Sequence, residues 1–273
     1  MRISQFASVL CSLLVATVGV GSSKIDQIEN AGKVFCTIHS DDDPGKECEI
    51  LNQKIDSEIF TVATNLNIEV SAFSIQNNKE VKFLIENIAE MFPKLIVYRV
   101  EKCRVRLINQ KHFENMRDLE ILSLQTNEID TIARDAFKYL IKLQGLKLSG
   151  NKIEVVDPGW FEALSSLQEL SIGHNQIKNL DNITFNKLSN LNDLALGHNN
   201  LTALPETLFK HNLKLQQIYL YSNQLQSVSA TMFDHLNKLD YVDLGDTCVN
   251  RFYLSDSFDV MRNDLRTNCS SII

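Results

Sequence analysis

The sequence predicts an α/β solenoid, a stack of short coils that each open with one strand of a parallel sheet. Three observations predict it. Leucine recurs at 95, 119, 143, 167, 191, 215 and 239, a fixed step of 24 residues. Inside each interval the pattern LxxLxLxxNxL keeps its phase, and a phenylalanine follows in register at 113, 137, 161, 185, 209 and 233. The apolar positions of one such unit cannot bury themselves, so neighbouring units have to stack.

Each element follows from this pattern. Leu119, Leu122, Leu124, Asn127 and Ile129 form one copy. Leu143, Leu146, Leu148, Asn151 and Ile153 form the next, and the same phase runs on through Asn175, Asn199 and Asn223. Counting the first leucine as position 0, the residues at 3 and 5 alternate as a strand requires. Helical repeats have longer periods. Positions 0, 3, 5 and 10 point inward, and the phenylalanine at 18 closes the coil from the other side. The asparagine at position 8 sits where the chain leaves the strand. Its amide can both donate to and accept from backbone groups that would otherwise be buried unpaired.

Over Val81 to Val249 this pattern resembles the leucine-rich repeat family in its 24-residue extracellular form. The resemblance implies a right-handed horseshoe with a parallel concave β-sheet and disulfide-bonded caps at both ends. It is similar to extracellular recognition modules, including Toll-type receptor ectodomains and the soluble immune leucine-rich repeat proteins of insects.

The N-terminus reads as targeting. Arg2 precedes Phe6 to Val20, a run without a charge, and Gly21, Ser22 and Ser23 follow. That is the order of a secretory signal, and the run falls short of the roughly 20 residues that span a bilayer. The expected organisation is a signal peptide at 1–22, an N-terminal cap at 23–80, repeats at 81–247 and a C-terminal cap at 248–273. The expected location is extracellular, with no transmembrane segment in the mature chain. Asn182, Asn200 and Asn268 open Asn-X-Ser/Thr triplets and are candidate glycosylation sites.

Six cysteines fit that location. Cys11 lies in the signal. Cys103 takes the ladder position of the first full unit and reads as a buried free thiol. The remaining four, Cys36, Cys48, Cys248 and Cys269, allow three pairings. The family resemblance implies Cys36–Cys48 and Cys248–Cys269 as cap disulfides. The second cap is shorter than the four-cysteine form common in receptors.

Composition narrows the function. The net charge of −7 and pI near 5.4 are wrong for sequence-independent nucleic-acid binding. No phosphate-binding glycine loop, nucleophile elbow or HExxH motif is present. No catalytic residue, cofactor or metal site is therefore expected. His174 and His198 share position 7 and should stack about 4.8 Å apart as rim histidines.

Positions 2, 4, 6 and 7 face the concave side. There the sequence places Tyr219, Tyr221 and Tyr241, flanked by Asp193 and Asp243, with Glu169 one unit earlier. Small residues precede them: Ser171, Gly173, Ala195 and Gly197. Clustered tyrosines are typical of protein-binding surfaces. The expected function is non-catalytic recognition of a protein or glycan on this face, with a role in innate immunity by family analogy. Two other readings stand beside it: a matrix or cell-adhesion protein, and a secreted enzyme inhibitor.

Overall fold

A computed structural model describes residues 70–86 and 88–269 in full. Four upstream strands, Lys33–Phe35, Thr37–His39, Lys46–Ile50 and Thr61–Ala63, are described by their backbone. The expected signal segment and Cys36 lie outside the described residues.

One 11-stranded sheet carries the fold, with its strands in chain order. They are β1 (Thr37–His39), β2 (Lys46–Ile50), β3 (Val70–Gln76), β4 (Val97–Glu101), β5 (Ile121–Ser123), β6 (Gly145–Lys147), β7 (Glu169–Ser171), β8 (Asp193–Ala195), β9 (Gln217–Tyr219), β10 (Tyr241–Leu244) and β11 (Arg251–Leu254). From β2 to β10 every pairing is parallel, while β1 and β11 run antiparallel at the two ends. Leu122, Leu146, Leu170, Leu194, Ile218 and Val242 are direct partners from strand to strand. A constant 24-residue period has become a register without slip.

The core lies between this sheet and the opposite wall. Leucines at positions 0, 3 and 5 are fully buried, as are the six phenylalanines at position 18 or nearly so. Those rings form a spine. Phe113 and Phe137 are 5.6 Å apart, Phe161 and Phe185 5.9 Å, and Phe209 and Phe233 6.0 Å between ring centres. The convex wall is built from turns and short 3₁₀ segments such as Gln110–Phe113 and Pro158–Phe161. In the second, Asp157 accepts the Gly159 N–H at 2.8 Å, and Pro158 supplies a φ suited to the first turn.

The asparagine ladder forms as the spacing implies. Asn151 Nδ2 donates to the carbonyls of Leu124 (3.0 Å) and Leu148 (2.8 Å), and its Oδ1 accepts the Ile129 N–H (3.0 Å). Asn127, Asn175, Asn199 and Asn223 repeat this arrangement. Each amide thus satisfies buried backbone groups in two consecutive turns. Cys103, a free buried thiol, takes the ladder position of its turn and donates to the Glu101 carbonyl at 3.2 Å.

Two features were not legible in the repeat pattern. Ladder-like Asn78 lies 25 residues before Cys103, out of phase by one, because β3 and β4 pair with a 25-residue offset. The parallel sheet therefore reaches upstream of the patterned segment, through β3 and β2. Position 7 of every turn is left-handed: Lys102, Thr126, Gly150, His174, His198, Ser222 and Asp246 all have φ between 50° and 74°. This kink aims each N–H at the next turn, as in Thr126 N to Ser149 O (2.8 Å) and His198 N to Tyr221 O (2.9 Å).

At the C-terminal end β11 closes the sheet and the helix Phe258–Asn268 folds beneath it. Met261 and Leu265 of that helix are buried with Tyr253, covering core that an open solenoid would expose. Cys248 and Cys269 are joined, as the family resemblance implies. The second expected pair, Cys36–Cys48, lies outside the described residues.

Candidate functional site

The concave face follows from the register. Because side chains alternate along a strand, positions 2 and 4 of β7, β8, β9 and β10 project away from the core. They read Glu169 and Ser171, Asp193 and Ala195, Gln217 and Tyr219, then Tyr241 and Asp243. Antiparallel β11 continues the face, setting Phe252 opposite Asp243 and Leu254 opposite Tyr241.

The aromatic residues fall into two groups. In the first, Tyr219 and Tyr241 have ring centres 5.2 Å apart, and Tyr241 stacks on Phe252 at 6.0 Å with 25° between planes. Both tyrosine hydroxyls are tethered on their own strands. Tyr219 donates to Gln217 Oε1 at 2.6 Å and Tyr241 to Asp243 Oδ2 at 3.2 Å. These rings are therefore held in place before any partner arrives. In the second group the His174 and His198 rings stack at 4.0 Å, and Tyr221 meets His198 edge-on at 5.1 Å. The Tyr221 ring lies across Gly197, where a Cβ would stand 2.8 Å from it. Tyr221 thus fills part of the small-residue patch rather than standing clear beside it.

The charges are ordered as well. Lys147 on β6 pairs with Glu169 at 3.0 Å. The carboxylate of Asp193, on the next strand, has no hydrogen-bond or ion-pair partner among the described residues. Partial burial, with the Glu169 carboxylate beside it, raises its pKa. Asp243 accepts the Gly245 N–H (2.9 Å) in addition to the Tyr241 hydroxyl. Burial and the neighbouring Asp243 push the Tyr241 hydroxyl up to about 12, so it stays a donor at physiological pH. Glu169, Ser171, Asp193, Ala195, Gln217 and Tyr219 line a shallow depression of about 320 Å³.

All six residues expected to bind a partner thus lie on β7 to β10 or, for Tyr221, just beyond β9. Sequence reasoning missed Phe252, which lies in the capping strand, outside the 24-residue period. Its only sequence signal was an aromatic residue four positions after the cap cysteine Cys248; in the structure its ring is 58% exposed.

Three overlapping stretches, residues 99–153, 141–201 and 189–248, match the family model described as Leucine rich repeat. They cover more than half of the chain. The chain belongs to the leucine-rich repeat family. Among solved structures, this leucine-rich repeat chain is similar to the TLR13–ssRNA13 complex, with 24% identity, 66% of this chain and 29% of that chain covered, and a TM-score of 0.54. It is also similar to a leucine-rich repeat protein of Leptospira interrogans, with 23% identity, 72% and 47% covered, and a TM-score of 0.59. Likeness at these identities shows the fold. The chain spans less than half the length of either structure. No curated protein matches it.

Elsewhere on the leucine-rich repeat scaffold, Asn182 and Asn268 are exposed and Asn200 is partly buried beside Asn199. Ser270, the third residue of the last triplet, lies outside the described residues. Among the described residues no group of three His, Cys, Asp or Glu side chains is placed to hold a metal, and no helix is long and apolar enough to cross a membrane.

Proposed function

We propose that this leucine-rich repeat chain is a secreted, non-catalytic recognition protein that binds a protein partner on the C-terminal half of its concave sheet, in an innate immune setting. The carrying observation is the tethered pair Tyr219 and Tyr241, 5.2 Å apart and flanked by Asp193 and Asp243. A tyrosine ring offers a large apolar face and a hydroxyl with few rotors to freeze. Here the rotors are already restrained, which lowers the cost of binding. Carboxylates on the same strands favour a basic partner, chiefly through association rate. They disfavour a nucleic-acid backbone, which needs lysine and arginine. A glycan could use the same ring faces. The immune setting follows the resemblance to extracellular recognition modules.

The test begins with capture of partners from body fluid, compared with cell surfaces and matrix. Titration of the captured partner against Tyr219→Ala and Tyr241→Ala should then show weakening by on the order of 2 kcal/mol each, as expected of hot-spot residues. Glu101→Ala and Lys102→Ala, at the other end of the face, should bind like wild type. Tyrosine variants with wild-type affinity would move recognition to the convex side or the caps.

A further inference from the structure

The aromatic row does not stop at the last repeat. Phe252 extends it onto the C-terminal cap, with its ring 58% exposed. Tyr241 lies between Tyr219 (5.2 Å) and Phe252 (6.0 Å), so the three rings form one continuous strip across three strands. Leu254 lengthens the apolar edge and is half exposed.

The strands beneath this strip carry mainly acidic side chains. Asp193 and Asp243 lie beside it and Glu169 farther along the face, and the single lysine or arginine on the strands β7 to β11 themselves is Arg251. That guanidinium is engaged by Asp264 at 3.2 Å. On the neighbouring strand Lys147 seats its ammonium on Glu169, which shows how a cation sits at this rim. Asp193 has no such counterion among the described residues, although it lines the depression with Tyr219.

We propose that the strip Tyr219–Tyr241–Phe252, with Asp193 and Asp243 beside it, seats arginine side chains of an extended basic protein segment. This rests on the concave-face reading above and adds the chemistry of the occupant. A guanidinium is planar and weakly hydrated, so it can lie flat on an aromatic ring while its edge N–H groups reach a carboxylate. An ammonium is a strongly hydrated point charge and gains less from a ring face. The strip runs across the strands, so a segment laid along it meets the rings in succession. The depression is at the lower end of the roughly 300–1,000 Å³ of small-molecule sites and offers room for side chains rather than for a large cofactor.

The experiment is fluorescence anisotropy of a labelled Arg-Gly octapeptide on the full secreted chain at physiological salt, with Lys-Gly and Glu-Gly octapeptides alongside. The Arg-Gly peptide should bind, the Lys-Gly peptide about five-fold more weakly, and the Glu-Gly peptide not at all. Phe252→Ala and Tyr241→Ala leave the net charge unchanged and should each weaken the Arg-Gly peptide about ten-fold, while Phe252→Tyr retains binding. Asp193→Asn should weaken it and flatten its salt dependence, whereas Asp256→Asn, on the exposed cap turn, should not. Melting temperatures establish that each variant folds. Equal affinity for the lysine peptide, indifference to Phe252→Ala and Tyr241→Ala, or no binding of the arginine peptide each overturns the proposal. If a captured partner depends on Tyr219 while the arginine peptide fails to bind, this inference falls and the concave-face reading stands.

Discussion

The ring of Tyr221 rests on the backbone of Gly197, so closely that a Cβ at 197 would fall 2.8 Å from its Cε1 and Cζ atoms. One turn earlier, a Cβ at Gly173 would fall 2.8 Å from the Gly197 carbonyl oxygen. The two glycines face obstacles of different kinds. A tyrosine ring at the surface can swing aside, whereas a carbonyl fixed in the ladder cannot. Gly173→Ala should therefore cost about 1–3 kcal/mol and Gly197→Ala less than about 1 kcal/mol. Urea melts of the two variants check the order, and equal costs would mean that Tyr221 is locked in place.

The left-handed position offers a second test. Gly150 has φ 74°, and Thr126, one turn before it, holds φ 55° despite a branched side chain. Gly150→Ala should destabilise by about 1–2 kcal/mol. Thr126→Gly, at an exposed side chain, should stabilise by about 0.5 kcal/mol, since relief of backbone strain outweighs the added freedom of the unfolded chain. Thermal melts read both, and a loss at Thr126→Gly would show that its side chain contributes contacts.

His112 makes stability depend on pH. It is buried, its Nδ1 accepts the Asn109 N–H at 3.1 Å, and burial lowers its pKa from 6.5 to about 4. Between those values the unfolded chain binds a proton that the folded chain refuses. Stability is therefore highest above pH 6.5, falls as pH drops from 6.5 to 4, and changes no further below 4 on this account. The loss is about 3 kcal/mol. His174, also lowered by burial and by His198 beside it, acts in the same direction. Urea melts across this range should show a smaller loss for His112→Gln than for wild type. Parallel curves would assign the acid sensitivity elsewhere.

The core and the surface should separate cleanly. Phe161→Ala and Leu170→Ala remove fully buried side chains and should each cost roughly 2–5 kcal/mol through the cavities they leave. Lys147→Ala breaks a partly exposed pair with Glu169 and should stay within about 0.5 kcal/mol. Denaturant melts with equal shifts at all three sites would contradict the inside–outside assignment.

Peptide mapping without reduction should find Cys248 joined to Cys269, Cys36 joined to Cys48, and Cys103 free. Opening the first bridge, which spans 21 residues, should cost about 3 kcal/mol on the chain-entropy account. A peptide linking Cys103 to another cysteine would break the ladder assignment, because its buried thiol now donates to the Glu101 carbonyl.

The periodic part of this protein follows from residue spacing. Constant 24-residue spacing allows only one register, so Leu122, Leu146 and Leu170 had to become partners. A buried asparagine in that spacing had to bridge consecutive turns. The same alternation puts Tyr219, Tyr241, Asp193 and Asp243 on the concave face. What the period does not reach was set by long-range packing. Buried Asn78 stands one residue out of phase with Cys103, because β3 and β4 pair at a 25-residue offset that the repeat does not record. Tyr221 lies down on Gly197 and leaves Tyr219 to pair with Tyr241, since side-chain direction depends on the space left by neighbouring turns. Phe252 reaches the aromatic row because the chain reverses into antiparallel β11, and that reversal depends on the Cys248–Cys269 bridge and the buried Met261 and Leu265. Repetition is read from local spacing, whereas a cap is specified by contacts between distant residues that occur only once.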